Sequence, residues 1–429
     1  MKNILLYAIA IISCNYSIVN AQTWNTVGSG VDTDIYTMAE YNGELYVGGF
    51  VNIAGGVTVN SIAKWDGTNW SAPGTGVETY VGSLCVYNNE LYAGGNFNTM
   101  DGDSISRIAR YNGSTWSSVG TGVQNGHVLC MAEYNGDLYV GGIFSSAGGV
   151  PVSNLARWDG STWSDVGGGT DSDVLALAVY NGELYAGGYF LDAGGVSVWY
   201  IAKWNDSAWS DPSTTDFNGD VYCLAVYDGN LYAGGDFDYG SSHNYIAYWD
   251  GSTWSPCGDG MDSHINSLAV YNGELYAGGD FYEADTVVSN EIARWNGTSW
   301  SACGGGMDDQ VWALAAYNGE LYATGDFLNV DGMAASHIAR WSMPVGIEET
   351  NEALSLAVYP NPSNGIISMD LLAYENFEIT VSNSLGQTVF HLSDAASTVP
   401  IDLSEQPSGI YFIKANSENS TLRNKIIVE

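Results

Sequence analysis

The sequence predicts an all-β fold: a seven-bladed β-propeller closed by its N-terminal strand, followed by a small C-terminal β-sandwich. Three observations predict it. An eleven-residue phrase, YNGELYAGGDF at Tyr271, recurs with small changes from Tyr41, Tyr87, Tyr134, Tyr180, Tyr227 and Tyr317. A second phrase, of the type IARWDGSTW, follows each copy and makes a unit of about 46 residues. The units also start and stop out of phase. The chain after its leader opens on an orphan fourth strand, QTWNTVGSGV from Gln22, and the seventh unit halts at HIARWS, residues 337–342, without one. Two half-units that sum to a whole one fit a closed ring, which also removes the sheet edges that promote aggregation.

Residues 1–21 read as a signal peptide. Lys2 supplies the charged start, Ile4 to Ser13 the apolar run, and Val19-Asn20-Ala21 the small residues before a cut at Gln22. The apolar run is too short to cross a bilayer. A competing reading takes Ile11-Ile12-Ser13-Cys14 as a lipobox, with Cys14 as the lipid anchor.

Residues 22–342 hold the propeller, with four expected strands in each unit. The first ends at the tyrosine of the phrase. An Asn-Gly or Asp-Gly pair then makes a two-residue hairpin turn. The second strand is ELYAGG, whose paired glycines suit close backbone approach or a bulge. The third is IARW, and the fourth follows another Gly turn. Leu and Tyr of the second strand are expected to point to opposite faces and pack on neighbouring sheets. Six of the seven basic residues here share one slot: Lys64, Arg110, Arg157, Lys203, Arg294 and Arg340. An acid stands twenty residues before each, and both charges vanish together in the fifth unit at Asn230 and Tyr248. That co-variation predicts cross-strand ion pairs rather than an anion channel.

The composition narrows the partners. Lys+Arg number 11 against 48 Asp+Glu, a formal charge of -37. Such a chain is unsuited to nucleic acid or to an anionic membrane surface. Five cysteines remain beyond the leader: Cys85, Cys130, Cys223, Cys257 and Cys303. The last two replace valines of other units, so they read as small buried apolar residues rather than a disulfide framework.

Candidate sites follow from the places where the repeat lapses. The connections between units are acidic and differ from one another. Asp32, Asp34, Glu78, Asp171, Asp173, Asp262, Asp308 and Asp309 are expected near one mouth of the central channel. Carboxylates there make Ca²⁺ the candidate ion, although no EF-hand spacing occurs and solvated acidic loops are the competing reading. Four aromatic residues also break the pattern: Trp199 in a loop, and Tyr36, Tyr222 and Trp312 near the start of the innermost strand. Their rings suit sugar stacking, with inter-blade packing as the alternative. Four histidines from different blades lack metal-protease spacing, and neither a nucleophile elbow nor a P-loop appears, so no catalytic residue is assigned.

Residues 343–355 form a polar linker, and 356–429 change character. VYPNPSNG from Val358, NSLGQTVF from Asn383 and IDLSEQPSGIYFIKA from Ile401 are short alternating strands between Gly, Pro and Asn turns, the pattern of a small β-sandwich. These motifs, in this order, resemble the C-terminal sorting domain of type IX secretion substrates in Bacteroidota. Glu429 departs from the basic residue usual at the end, while Lys414, Arg423 and Lys425 keep basic character nearby. The resemblance implies Sec export, engagement of the type IX machinery, and release or attachment at the outer surface. The propeller half is similar to repeats of such secreted proteins and, distantly, to kelch propellers. That likeness implies a fold and no activity. The function expected is a surface or secreted binding module for a glycan or protein. The alternatives are a polysaccharide hydrolase or lyase, or an inert scaffold.

Overall fold

A computed structural model describes residues 22–212, 217–238, 245–342, 357–359, 361–370, 377–383, 387–395, 398–416 and 421–428. The expected leader and linker lie outside these residues. The chain forms two units, one ending at Val345 and one spanning Gly346–Glu429. All regular structure among the described residues is β.

The first unit holds seven four-stranded antiparallel sheets. The first consists of Ile35–Tyr41, Glu44–Gly49, Ile62–Trp65 and Trp70–Ser71. Five more repeat that order down to Trp300–Ala302. The seventh takes Val311–Tyr317, Glu320–Gly325 and Ile338–Ser342 from the end of the unit, and its outer strand is Thr23–Thr26. Trp24 pairs with Trp341 in that register. The turns explain why the hairpins form. Asn42 and Gly43 have φ of 52° and 76°, the left-handed pair that a twisted two-residue hairpin requires.

Neighbouring sheets are stitched by the repeated tyrosine. The Tyr41 hydroxyl donates to the Asn89 carbonyl at 3.3 Å, in the turn of the next sheet. Tyr87, Tyr134, Tyr180, Tyr227 and Tyr271 each do the same one sheet on. Tyr317 completes the series by donating to Gly43, in the first sheet, at 2.8 Å. The apolar layer follows suit: Leu45, Val47 and Ile35 of the first sheet pack with Tyr317, Tyr322 and Ile338 of the seventh. Tyr46, on the opposite face from Leu45, joins Val81, Leu91 and Phe97 of the second. Indole N–H groups add another stitch, Trp24 donating to the Cys303 carbonyl at 2.8 Å and Trp300 to that of Cys257 at 3.0 Å. Both cysteines are buried and free, so their slot serves packing and a main-chain acceptor.

The six acid–base matches are ion pairs, from Arg157–Asp137 at 2.5 Å to Arg110–Glu90 at 3.3 Å. In the fifth sheet Tyr248 instead stacks near Tyr232, ring centroids 5.6 Å apart.

The second unit pairs a three-stranded sheet, Ala357–Tyr359, Ile366–Asp370 and Thr398–Asp402, with a four-stranded one ordered Thr388–Ala395, Phe377–Asn383, Gly409–Asn416, Thr421–Val428. Residues alternate buried and exposed along Gly409–Asn416, the period-two pattern of a strand with one face on a core. Ile367, Met369, Phe377, Ile379, Ile401, Tyr411, Ile413 and Ile426 build that core.

Candidate functional site

Every first strand of the seven sheets carries a β-bulge at the same place. Ile35 pairs with Gly49 and Thr37 with Gly48, which leaves Tyr36 as the extra residue. The same skip falls on Gly82, Leu129, Leu175, Tyr222, Asn266 and Trp312. In six sheets paired glycines lie across from the bulge, and in the seventh Thr324 replaces the first of them. A Cβ on Gly48 would meet Val81 of the next sheet at 2.6 Å, and one on Gly49 would collide with the Asp34 carbonyl. A bulge re-aims its side chain out of the sheet alternation. The first strands touch one another around the set, the seventh touching the first. Their bulged residues therefore form a ring of positions at one end of the inner strands. Three of the four aromatic residues singled out from sequence, Tyr36, Tyr222 and Trp312, are bulge residues.

At the junction of the seventh and first sheets these rings meet others. The Tyr36 ring lies 5.9 Å from Trp312, 5.8 Å from Phe50 and 6.2 Å from Tyr80, all edge to face. Phe50 and Tyr80 are 5.0 Å apart, and His127 continues the row at 6.2 Å from Tyr80. Phe50 is 44% exposed, so the row presents a ring surface to solvent. A shorter row joins Tyr189, Tyr222 and His264 at 6.1 and 6.0 Å. Trp199 stands apart from both. It is exposed on the excursion between the second and third strands of its sheet, with a left-handed φ of 45° in a slot held elsewhere by Asn60 and Asn290.

The first aromatic row sits on a carboxyl pair. Asp34 and Asp326 share a hydrogen bond, and burial together with that bond raises the Asp34 pKa. Burial pushes Asp326 the same way, but donation from Trp312 and Gln310 outweighs it and holds Asp326 below the usual range. The Trp312 indole N–H donates to Asp326 at 2.9 Å and the Gln310 amide at 2.8 Å. The Tyr36 hydroxyl donates to Asp34 at 3.3 Å, and burial lifts the Tyr36 pKa to about 12. Asp34 is thus shifted up and Asp326 down, the opposed directions expected of two close carboxyls.

The eight acids proposed from sequence divide into two groups and a single residue, Asp309. Asp32, Glu78, Asp171, Asp262 and Asp308 are each committed within their own unit. Asp32 accepts from the main-chain N–H groups of Asn52 and Ile53, both at 2.9 Å, and so pins the excursion that follows the second strand. The other four accept at the equivalent positions. Asp34 and Asp173 face inward instead, where burial raises both. Asp309 accepts from the Gln310 N–H at 2.8 Å. Among the described residues, no three His, Cys, Asp or Glu side chains group as a metal ion would require.

Phe50, Tyr80, Gln310 and Asp326 belong to this region and were not singled out from sequence. The readable signal was the column directly after the paired glycines, which runs Phe50, Asn96, Ile143, Tyr189, Asp236, Asp280, Asp326.

Residues 357–429 match the family described as the secretion system C-terminal sorting domain. That match makes the chain a substrate sorted by type IX secretion, destined for the cell surface or beyond. No curated protein matches the chain in sequence. Among solved structures, the extracellular domain of a putative hybrid two component system from B. thetaiotaomicron is 11% identical with a TM-score of 0.47, over 95% of this chain and 57% of that one. PorZ, a surface component of the type-IX secretion system of Porphyromonas gingivalis, is 13% identical with a TM-score of 0.36, over 92% and 66%. A mutant Trypanosoma rangeli sialidase is 11% identical with a TM-score of 0.29, over 94% and 88%. The chain thus spans less than two thirds of the first two neighbours. At these scores the likeness transfers neither activity nor ligand to this chain.

Proposed function

We propose that this is a Sec-exported type IX substrate of the Bacteroidota kind, with a leader over 1–21, a linker over 343–355 and a sorting sandwich over 356–429. Residues 22–342 are a seven-bladed β-propeller that binds a glycan at the bulge end of its inner strands. Ring closure is supported by the Thr23–Thr26 pairing and by the return bond from Tyr317 to Gly43. The observation that carries the binding reading is the row Trp312, Tyr36, Phe50 and Tyr80 laid against Asp34 and Asp326. A half-exposed ring surface stacks on the apolar face of a sugar, and an adjacent ionised carboxylate accepts from its hydroxyls. Hydrolysis is less well supported, because the two carboxyls touch, whereas a glycosidase pair stands about 5–10 Å apart. Trp199, exposed in its left-handed slot on the fourth sheet, is a separate candidate for ring stacking.

The test is a glycan array probed with the chain from Gln22 onward, in Ca²⁺ and again in EDTA. Wild type binds at least one glycan class, and Phe50→Ser loses about tenfold or more, equivalent to about 1.4 kcal/mol. EDTA leaves that binding unchanged. Binding abolished by EDTA would move the site to a calcium ion held among the acidic connections between sheets. A blank array sinks the glycan reading and leaves a protein ligand.

A further inference from the structure

The second unit carries a face whose chemistry does not match its surroundings. One side of its four-stranded sheet is buried, and the other should be polar, as in any sandwich with one solvated face. On Phe377–Asn383 and Thr388–Ala395 it is polar, with Glu378, Thr380 and His391 outward and Glu378 3.6 Å from His391. On the other two strands three apolar side chains stand outward at one end of the face, with Lys414 and Lys425 beside them. Ile410 stands opposite Ile427, and Phe412 opposite Lys425 one step along the same face. The three apolar side chains are 46%, 36% and 50% exposed for Ile410, Ile427 and Phe412. Register makes them one contiguous patch rather than three scattered residues, and such patches on soluble domains mark contact surfaces.

Charge separates this patch from the rest of the molecule. Six of the chain's 11 cationic residues are locked in the ion pairs of the first unit. Lys414 and Lys425, which flank Phe412, have no ion-pair partner among the described residues. A protein of formal charge -37 therefore presents exposed ammonium groups beside exposed rings on its sorting unit.

The mode of recognition follows from the strand edge. Thr421–Val428 is the last strand of its sheet, so its outer backbone groups would ordinarily invite strand addition. Here they are taken. The Ile427 N–H donates to the Asn361 side chain at 2.9 Å, the Asn361 amide donates to the Lys425 carbonyl at 2.7 Å, and the Ser363 N–H donates to the Ile427 carbonyl at 2.9 Å. The edge is sealed next to the patch, which leaves side chains as the means of contact.

We propose that the outward face formed by Ile410, Phe412 and Ile427, flanked by Lys414 and Lys425, is the surface by which the secretion machinery grips this chain. The matching surface on the machinery is an apolar groove with a carboxylate rim. The sorting role of the unit comes from its family; the face, its residues and the side-chain mode come from the geometry above.

Full-length chain is expressed in a cell with a working type IX system, and surface and periplasmic amounts are compared. Phe412→Asp lowers the surface-to-periplasm ratio at least tenfold, and Lys425→Glu lowers it several-fold. Ile366→Asp serves as control, because Ile366 is 54% exposed but lies on the other sheet, opposite Asp402. It leaves the ratio within twofold of wild type. A thermal melt of each purified chain separates misfolding from lost recognition. If Phe412→Asp misfolds, a photo-crosslinking phenylalanine analogue at 412 and at 366 decides. Adducts with an identified outer-membrane component of the machinery form from 412 and not from 366. Normal export of a folded Phe412→Asp chain, or equal adducts from both positions, overturns the proposal.

Discussion

The two ends of the seven sheets follow opposite rules. At the tight-turn end the units are interchangeable: seven tyrosine hydroxyls reach seven neighbouring turns, and the last contact returns to the first sheet. At the bulge end the backbone is just as regular, with the same register skip in every first strand, yet the skipped residue is Tyr, Gly, Leu, Leu, Tyr, Asn and Trp in turn. The difference teaches where to look for chemistry in a repeat protein. Repetition of a side chain reports a packing requirement met seven times. Repetition of a backbone device with free choice of side chain reports a platform.

The comparison breaks first at the closing strand. Trp24 is 2% exposed, donates to Cys303 and packs 5.1 Å from Trp341. Trp24→Ala is expected to cost about 3–5 kcal/mol, the usual range for a buried tryptophan. It acts through one scaffold slot, so Trp163→Ala in an interior sheet should cost the same. Urea unfolding of the two variants measures this. A loss under about 1 kcal/mol at Trp24 alone would mean that the N-terminal strand does not hold the ring shut.

The tight-turn end was readable almost residue by residue, because each of its features is local. Asn-Gly fixes a turn within two residues, and an acid twenty residues before a base fixes a cross-strand pair. Even the lapse at Asn230 and Tyr248 was informative. The bulge end was readable only as a column of variation. Tyr36, Tyr222 and Trp312 stood out as aromatic in a shared slot. Their partners did not, because Asp326 of the seventh sheet meets Asp34 at the start of the first, almost the whole length of the unit apart in sequence. The hairpin contacts of Asp32 and Asp308 were hidden for a related reason. Acidic connections look alike, and whether a carboxylate faces solvent or its own hairpin N–H groups depends on a contact twenty residues away.

The bulge end also differs in its response to pH, at one inter-sheet contact. The residue just before the third strand donates to the next connection in three units: Ser61 to the Thr79 carbonyl, Arg107 to that of Gly126, and Asn154 to that of Ser172. Glu291 holds this slot in the sixth sheet, and one of its carboxyl oxygens is buried and unmet by any group among the described residues. Burial, with Asp280, Asp309 and Asp262 nearby, raises its pKa to about 8. The folded state therefore keeps a proton that the unfolded chain releases near pH 4.5. Stability on this account is full below that value and falls as pH rises through about 8. Glu291→Gln, neutral at every pH and able to donate, is expected to flatten the fall in melting temperature between about pH 4.5 and 8. Parallel wild-type and variant curves would show that Glu291 is ionised and harmless.

The smallest test returns to the tight-turn end, where repetition should permit transfer. The fifth sheet lacks its ion pair and has Asn230 and Tyr248 in the slots that hold, for example, Glu274 and Arg294 at 3.0 Å in the sixth. If these slots are scaffold alone, grafting Asn230→Glu with Tyr248→Arg builds a seventh pair. The coupling between the two changes, read from a double-mutant cycle in urea, is expected at about 0.2–1 kcal/mol and should shrink in high salt. The net change is smaller, since Tyr248 gives up its contact with Tyr232. Binding at the bulge end should not respond at all. A graft that altered ligand binding would tie the two ends together, and the division between scaffold and platform would then fail at the one sheet where the sequence itself departs from the repeat.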